Sequence, residues 1–442
     1  MGTSVRPELR VFPKGPLAIP VLPTPPHVVW AVPGSKSITN RALVLAALAD
    51  GVTRLEGVLH SDDTLHMRRA LEALGVTVRD EGPTTWVVEG GRGRLAPPAQ
   101  PLFVGNSGTT VRFLTALACL VPGEVRLVGD AAMARRPIQD LVDGLRGLGA
   151  DIECATGCPP LTVRGGRLPG GVARMRGDRS SQYFSALIMA AGLAEGDVEI
   201  AIEGSLVSRP YVEITRRMVR DFGGDVSATP DGFRVRAVGA YRGREYRIEP
   251  DASSASYAFA LAAATGGSIE VPGLGVDALQ GDYAFVDVLA RMGAEVEKSA
   301  TGTRVRGTGR LTGIEVDMHH ISDTVMTLAA IAPLATGTTR IVNVANIRIK
   351  ETDRLAATVA ELERLGQGVE HGDDWLAVTP RPIHPAIVRS YGDHRMAMSF
   401  AVLGAARSGI SIEEPAVVAK TYPGFWDDFG RVYRAVGAPL PF

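Results

Sequence analysis

A chain of 442 residues, 45% hydrophobic and 21% charged, has material for two or three domains with buried cores and the composition of a soluble globular protein. Its net charge of −1 excludes a generally basic nucleic-acid binder or an acidic-membrane binder, so any anion site must be a local concentration of cations. Three cysteines, Cys119, Cys154 and Cys158, exclude a disulfide framework at this length, and the last two lack the neighbouring histidines of a zinc site.

In chain order, "MGTSVRPELRVFPKGPLAIP" lacks the apolar core of a signal peptide. No later segment reaches about 18 uninterrupted apolar residues, so a reducing, cytoplasmic setting without a membrane partner is expected. Pro-rich "PVLPTPPHVVWAVP" then leads into "SKSITNRALVLAALADG", a polar cluster opening a helix that is apolar nearly all round. An amphipathic helix follows, "MRRALEALGVTV", ending at a glycine and running into a strand.

The same pair of helices returns five times. "GNSGTTVRFLTALACLVPG" precedes "LVDGLRGLGADI", and "DRSSQYFSALIMAAGLAEG" precedes "ITRRMVRDFGGDV". Beyond the polar "YRGREYRIEP" come "DASSASYAFALAAATGG" with "FVDVLARMGAEV", then "ISDTVMTLAAIAPLATG" with "VAELERLGQGV". "YGDHRMAMSFAVLGAARSG" with "VYRAVGAPL" ends the series. The glycines closing the amphipathic helices (Gly75, Gly149, Gly223, Gly293, Gly366, Gly437) recur roughly every 70 to 74 residues, as expected of left-handed C-terminal caps in a repeat. Strand-like runs such as "VRLVG" and "VEIAI" follow the apolar helices, so each unit reads β-α-β-α plus strands. Six units fill the chain, and the Pro-rich and polar segments divide them into two halves of three.

A helix start offers unpaired N–H groups and a positive dipole end, which together bind anions. Ser, Thr, Asn or Asp at one such start is an ordinary cap. Repeated starts carrying Lys36, Arg41, Arg112, Arg136, Lys350, Arg354, Arg395 and Lys420 beside Gly, Ser and Thr point instead to phosphate or carboxylate pockets. Asp323, opening the fifth apolar helix, and Glu351, beside Lys350, are carboxylates suited to proton transfer on anionic substrates. Each also has a plainer reading, an N-cap for Asp323 and an ion pair with Arg354 for Glu351. "PGSKS" has the Lys and Ser of a phosphate loop in the wrong order. His319 and His320 are adjacent and would point apart in a strand, a poor start for a metal site.

Together these segments resemble the enolpyruvyl transferases, and among them the 5-enolpyruvylshikimate-3-phosphate synthase family. The resemblance runs from about residue 30 to about residue 430. Its carriers include "PGSKSITNRALVLAALA", "GNSGTTVRFL", "RRPIQDL", "SSQYFSALIMAA", "SRPY", "DASSASY", "SDTVMTLA", "KETDRL", "DHRMAM" and "KTYPGF". It implies an inside-out α/β barrel fold of six β-α-β-α-β-β repeats in two domains. The first comprises residues 34–246, and the second residues 1–33 with 247–442. It also implies transfer of the enolpyruvyl group of phosphoenolpyruvate to the 5-hydroxyl of shikimate 3-phosphate by a monomer without cofactor or metal. The alternative is a paralogue acting on a related cyclitol phosphate or on UDP-N-acetylglucosamine.

By the same resemblance the acceptor is held by Lys36, Ser37, Arg41, Ser180, Ser181, Gln182, Ser208, Tyr211, Asp323, Asn346 and Lys350. Phosphoenolpyruvate would meet Lys36, Gly108, Arg136, Gln182, Arg354, Arg395 and Lys420. Asp323 resembles the base, Glu351 the acid, and Lys36 assists. Phe113, Ile347 and Arg135 depart from the residues usual in the family, which are Pro, Trp and an acidic residue.

Overall fold

The computed structural model describes residues 15–439. The N-terminal residues read above for a signal peptide lie largely outside the described range, as do the last three residues of the sixth repeat. The chain divides into two compact units: Gly34–Glu249, and the residues up to Pro33 together with those from Pro250 onward.

Within Gly34–Glu249 the helices are α1 (Lys36–Ala47), α2 (Asp62–Ala73), α3 (Gly108–Ala118), α4 (Gln139–Gly147), α5 (Ser181–Ala191) and α6 (Arg209–Asp221). Its sheets share a strand order. Gly171–Arg176 runs parallel to Val198–Glu203, which pairs antiparallel with Gly232–Arg236, and that strand pairs with Asp225–Thr229. Leu102–Phe103, Gly123–Val128, Leu161–Gly165 and Asp151–Glu153 repeat the pattern. In the sheet of Ala49–Glu56, the parallel edge comes from the far end of the unit, Tyr241–Arg242 and Glu245–Arg247.

The other unit contains α7 (Ala252–Thr265), α8 (Phe285–Arg291), α9 (Val325–Ile331), α10 (Arg354–Arg364), α11 (His394–Ala406) and α12 (Phe425–Ala435). His27–Val29 runs parallel to Ser268–Pro272, and Glu315–Asp317 to Thr339–Val342, each extended by an antiparallel hairpin. Ala386–Val388 and Ile410–Ile412 form a parallel pair whose antiparallel neighbour is Leu17–Ala18. No described helix is long and apolar enough to cross a membrane.

Two kinds of helix result from two kinds of pattern. Every residue of α3 and of α11 is buried, because an all-round apolar surface must be enclosed by neighbours. By contrast α6 buries the stripe Val212, Ile214, Thr215, Met218 and Val219 and leaves Arg209, Arg217 and Arg220 exposed. All six glycines closing the amphipathic helices have φ between 74° and 104°, where a Cβ would be strained.

His319 and His320 differ from the expectation of a strand. The strand ends at Asp317, whose carboxylate accepts the His319 N–H at 2.8 Å and turns the chain. The two rings meet edge to face at 5.0 Å instead of pointing apart.

The second unit's core is closed by aromatic residues. Phe425 stacks on Phe429 at 5.3 Å, and Trp30 packs against both. The Trp30 indole N–H donates to the Tyr422 hydroxyl at 2.8 Å, which donates to Asp428 at 2.7 Å. Burial outweighs that hydrogen bond and holds the Asp428 carboxyl above its ordinary value. Tyr422→Phe therefore leaves a buried indole N–H without its partner and removes one of the two groups that meet the Asp428 carboxylate, the other being Arg431 at 2.6 Å. Urea unfolding is expected to show a loss of about 1–3 kcal/mol.

Candidate active site

The cation-bearing helix starts fall into two groups, one on each unit. On Gly34–Glu249, Ser35 caps α1, its hydroxyl accepting the Ile38 N–H at 3.4 Å. This leaves Lys36 and Ser37 in the first turn. The Lys36 ammonium pairs with Asp63 at 3.1 Å, and Asp63 is almost fully buried at the start of α2. Arg41, one turn further along α1, is buried and among the described residues meets neutral oxygens and the Phe113 ring. Burial pushes its guanidinium down to about 10.

At the start of α3, Ser107 is the cap and Gly108 the first helical residue. A Cβ on Gly108 would lie 2.5 Å from the Arg136 Nη2, so the glycine lets this guanidinium approach the helix end. Arg136 is fixed by donating to the Asn106 carbonyl and side-chain oxygens at 3.0 and 3.2 Å. Arg112 donates to the Gln182 side-chain oxygen at 2.5 Å, and the Gln182 amide donates to Thr109 at 3.2 Å. Gln182 is thus oriented by two groups from α3.

Ser180 caps α5, accepting the Gln182 N–H at 3.3 Å, and Ser181 follows in the first turn. Ser208, before α6, is buried in the left-handed region at φ 49°, a strained conformation for a non-glycine residue. Tyr211 lies in the first turn of α6, and its carbonyl accepts from Arg41 at 3.1 Å.

On the other unit Asp323 is the centre. It lies in the 3-10 turn Ser322–Thr324 before α9, not at a helix cap, and its carboxylate faces three cations. Arg395 donates to it at 2.8 Å, Arg354 at 3.1 Å, and the Lys350 ammonium is 3.7 Å away. Burial alone would push the Asp323 carboxyl up. Arg395, Lys350 and Arg354 outweigh it and hold the group far below its ordinary range.

Glu351 precedes the Asp353 cap of α10 and accepts from Arg354 at 2.7 Å, so the ion-pair reading of this residue holds. Burial would lower the Arg354 guanidinium, but Asp393, Glu351 and Asp323 raise it above its ordinary value. Asn346 donates to Ser322 at 3.1 Å, beside Asp323 in sequence. Lys420 closes the 3-10 turn Pro415–Lys420, which packs on α11.

Each group has members that motif reading did not single out. Asp393 is fully buried, caps α11 by accepting the Arg395 N–H at 2.9 Å, and accepts from the Arg354 Nε at 2.7 Å. Asp63 and Asn106 similarly hold Lys36 and Arg136. The signal available for Asp393 was an acidic cap directly before a buried helix carrying an arginine, "GDHRMAM". Among the described residues, no cluster of three or more His, Cys, Asp or Glu could hold a metal ion.

Residues 27–429 match the family model for EPSP synthase (3-phosphoshikimate 1-carboxyvinyltransferase). The 3-phosphoshikimate 1-carboxyvinyltransferase of Trichormus variabilis is 45% identical over 95% of this chain and 99% of its own length. That of Shewanella piezotolerans is 46% identical over 91% of this chain and 96% of its own. Among solved structures, EPSP synthase from Acinetobacter baumannii superimposes with a TM-score of 0.80 at 25% identity, covering 97% of this chain and 99% of that one. The enolpyruvyl transferase NikO from Streptomyces tendae shares the fold, with a TM-score of 0.74 at 20% identity over 95% of this chain and 98% of that one. A match of this length and depth, on a chain whose buried cations gather at helix starts, makes it a member of the EPSP synthase family.

Proposed function

We propose that the chain transfers the enolpyruvyl group of phosphoenolpyruvate to the 5-hydroxyl of shikimate 3-phosphate, releasing phosphate. The observation that carries the reading is the carboxylate pair Asp323 and Glu351, held by a shared guanidinium, Arg354. Both substrates bear a phosphate and a carboxylate, and the cationic helix starts of each unit match that chemistry. The two units are taken as the family's two domains, each three β-α-β-α-β-β repeats wound as an inside-out α/β barrel. The recurring order of a parallel edge strand followed by an antiparallel hairpin supports that assignment.

In this reading the acceptor lies against Ser37, Arg41, Ser180, Ser181, Ser208, Tyr211, Asp323, Asn346 and Lys350. Phosphoenolpyruvate meets Gly108, Arg136, Arg354, Arg395 and Lys420, with Lys36 and Gln182 shared between the two. Asp323 takes the proton of the 5-hydroxyl as its oxygen bonds to C2 of phosphoenolpyruvate, while Glu351 delivers a proton to the methylene carbon. The tetrahedral adduct then expels phosphate as a proton leaves the new methyl group, restoring the double bond. Fixed cations beside the reacting groups supply electrostatic stabilisation without reorganisation. Anionic substrates that satisfy Arg354 and Arg395 also weaken their pull on Asp323, raising its basicity as the complex forms.

Phosphate release from phosphoenolpyruvate that depends on shikimate 3-phosphate tests the assignment. Release only with another cyclitol phosphate, or with UDP-N-acetylglucosamine, overturns it. Asp323→Ala and Glu351→Ala are each expected to lower turnover by about 10²- to 10⁴-fold while both substrates still bind by calorimetry. Gly108→Ala displaces the Arg136 guanidinium, so steady-state kinetics should give a KM for phosphoenolpyruvate raised roughly tenfold. The KM for the acceptor should hardly change.

Asp323 also predicts a pH effect on stability. Its folded carboxyl lies below the ordinary 3.8, so its contribution is fully present above that value and is lost as pH falls through the lower folded value. Asp323→Asn leaves three cations facing one another. It is expected to cost about 2 kcal/mol in urea unfolding at pH 7, with the difference shrinking below about pH 4.

A further inference from the structure

Arg41 and Arg354 are both buried guanidiniums, yet their surroundings are opposite. Arg354 contacts the carboxylates of Asp323, Glu351 and Asp393. Arg41 has no carboxylate within ion-pair reach among the described residues. Its Nε donates to Thr215 Oγ1 at 2.7 Å, one Nη1 hydrogen to the Ser37 carbonyl at 2.9 Å, and Nη2 to Ser185 Oγ and the Tyr211 carbonyl, each at 3.1 Å. Four of its five N–H groups are used, and the fifth lies on Nη1, beside Ser37. Its Cζ stands 5.2 Å from the centre of the Phe113 ring, itself buried at 1% exposure.

Four helices therefore meet at this one charge: α1 with Arg41, α3 with Phe113, α5 with Ser185 and α6 with Thr215. A buried cation ringed by neutral dipoles keeps its attraction for an incoming anion, which a fixed carboxylate partner would have cancelled. A flat aromatic face suits such a place. Its quadrupole favours the cation while leaving the in-plane N–H directions open. An aliphatic side chain of similar volume would fill the space without favouring the charge.

We propose that Phe113 is a positioning residue for the acceptor. Its ring holds the Arg41 guanidinium in plane, with the remaining N–H beside Ser37 directed at the acceptor's carboxylate. The inference rests on the functional reading above and adds to it a residue that touches neither substrate. Phe113 follows Arg112, the arginine that orients Gln182, by one helical position. The two side chains leave α3 about 100° apart, so one helix serves the donor subsite through one and the acceptor subsite through the other.

The test replaces Phe113 in the full chain by Leu and, separately, by phenylalanines bearing one, two and three ring fluorines. Fluorination withdraws the ring's negative face at nearly constant shape, so a residue that only fills space would not respond. KM for shikimate 3-phosphate should rise stepwise with fluorine count and about five- to tenfold in Phe113→Leu. Turnover and KM for phosphoenolpyruvate should stay within about twofold of the parent, since neither reports a cation–π contact to Arg41. The methyl ester of the acceptor, which lacks the carboxylate charge, should bind the parent and the fluorinated chains alike.

An acceptor KM flat across the fluorine series overturns the proposal, as does a loss shared equally by acid and ester. The series stands on its own if Phe113→Leu does not fold. A parent chain inert toward shikimate 3-phosphate overturns the functional reading itself. Activity with a flat series overturns only the role of Phe113.

Discussion

A guanidinium removed from water has to be met by something, and the nature of what meets it organises both halves of this protein. Arg354 and Arg41 are each almost wholly buried. The first is neutralised by carboxylates that stay within the protein, so it is a framework charge around which Asp323, Glu351 and Asp393 are arranged. The second is surrounded by hydroxyls, carbonyls and a ring, an arrangement that costs solvation and leaves its charge without a carboxylate partner among the described residues. Removing one partner from either setting is costly, because the other is left buried with its charge or polar groups exposed to no solvent.

The framework is economical because caps do double duty. Asp393 ends the orphan N–H of Arg395 with one oxygen and takes the Nε of Arg354 with the other. The glycine at the start of α3 gives its missing side chain's space to Arg136. Such dual use explains why so many small polar residues stand at the starts of helices that are otherwise apolar.

Much of this was legible from the sequence because it is local. An N-cap, a glycine closing a helix and a run of small apolar residues are each set by neighbours within a turn, and repetition separates them from chance. The residues that escaped notice act over distance. Asp393 looks like any acidic cap until Arg354, 39 residues earlier, is seen to reach it. Asp63 lies outside the quoted segments and Thr215 within an amphipathic repeat helix, and their partners Lys36 and Arg41 are brought to them only by helix packing. Composition held a further clue. Of 47 basic residues only five are lysines, and three of those are Lys36, Lys350 and Lys420. In a chain that uses arginine nearly everywhere, an ammonium at these positions presents a compact, strongly hydrated point charge in place of a planar fork.

The discontinuous unit also bears on how the molecule is made. Strand His27–Val29 finds its parallel neighbour only at Ser268–Glu270, so the ribosome must release roughly 240 further residues before that edge is covered. The intervening Gly34–Glu249 segment is contiguous and holds all its own sheet partners. Synthesis therefore favours an order in which the inserted lobe condenses first. Its ends, drawn together as it does so, shorten the entropic search that the early strand must make for its late companion.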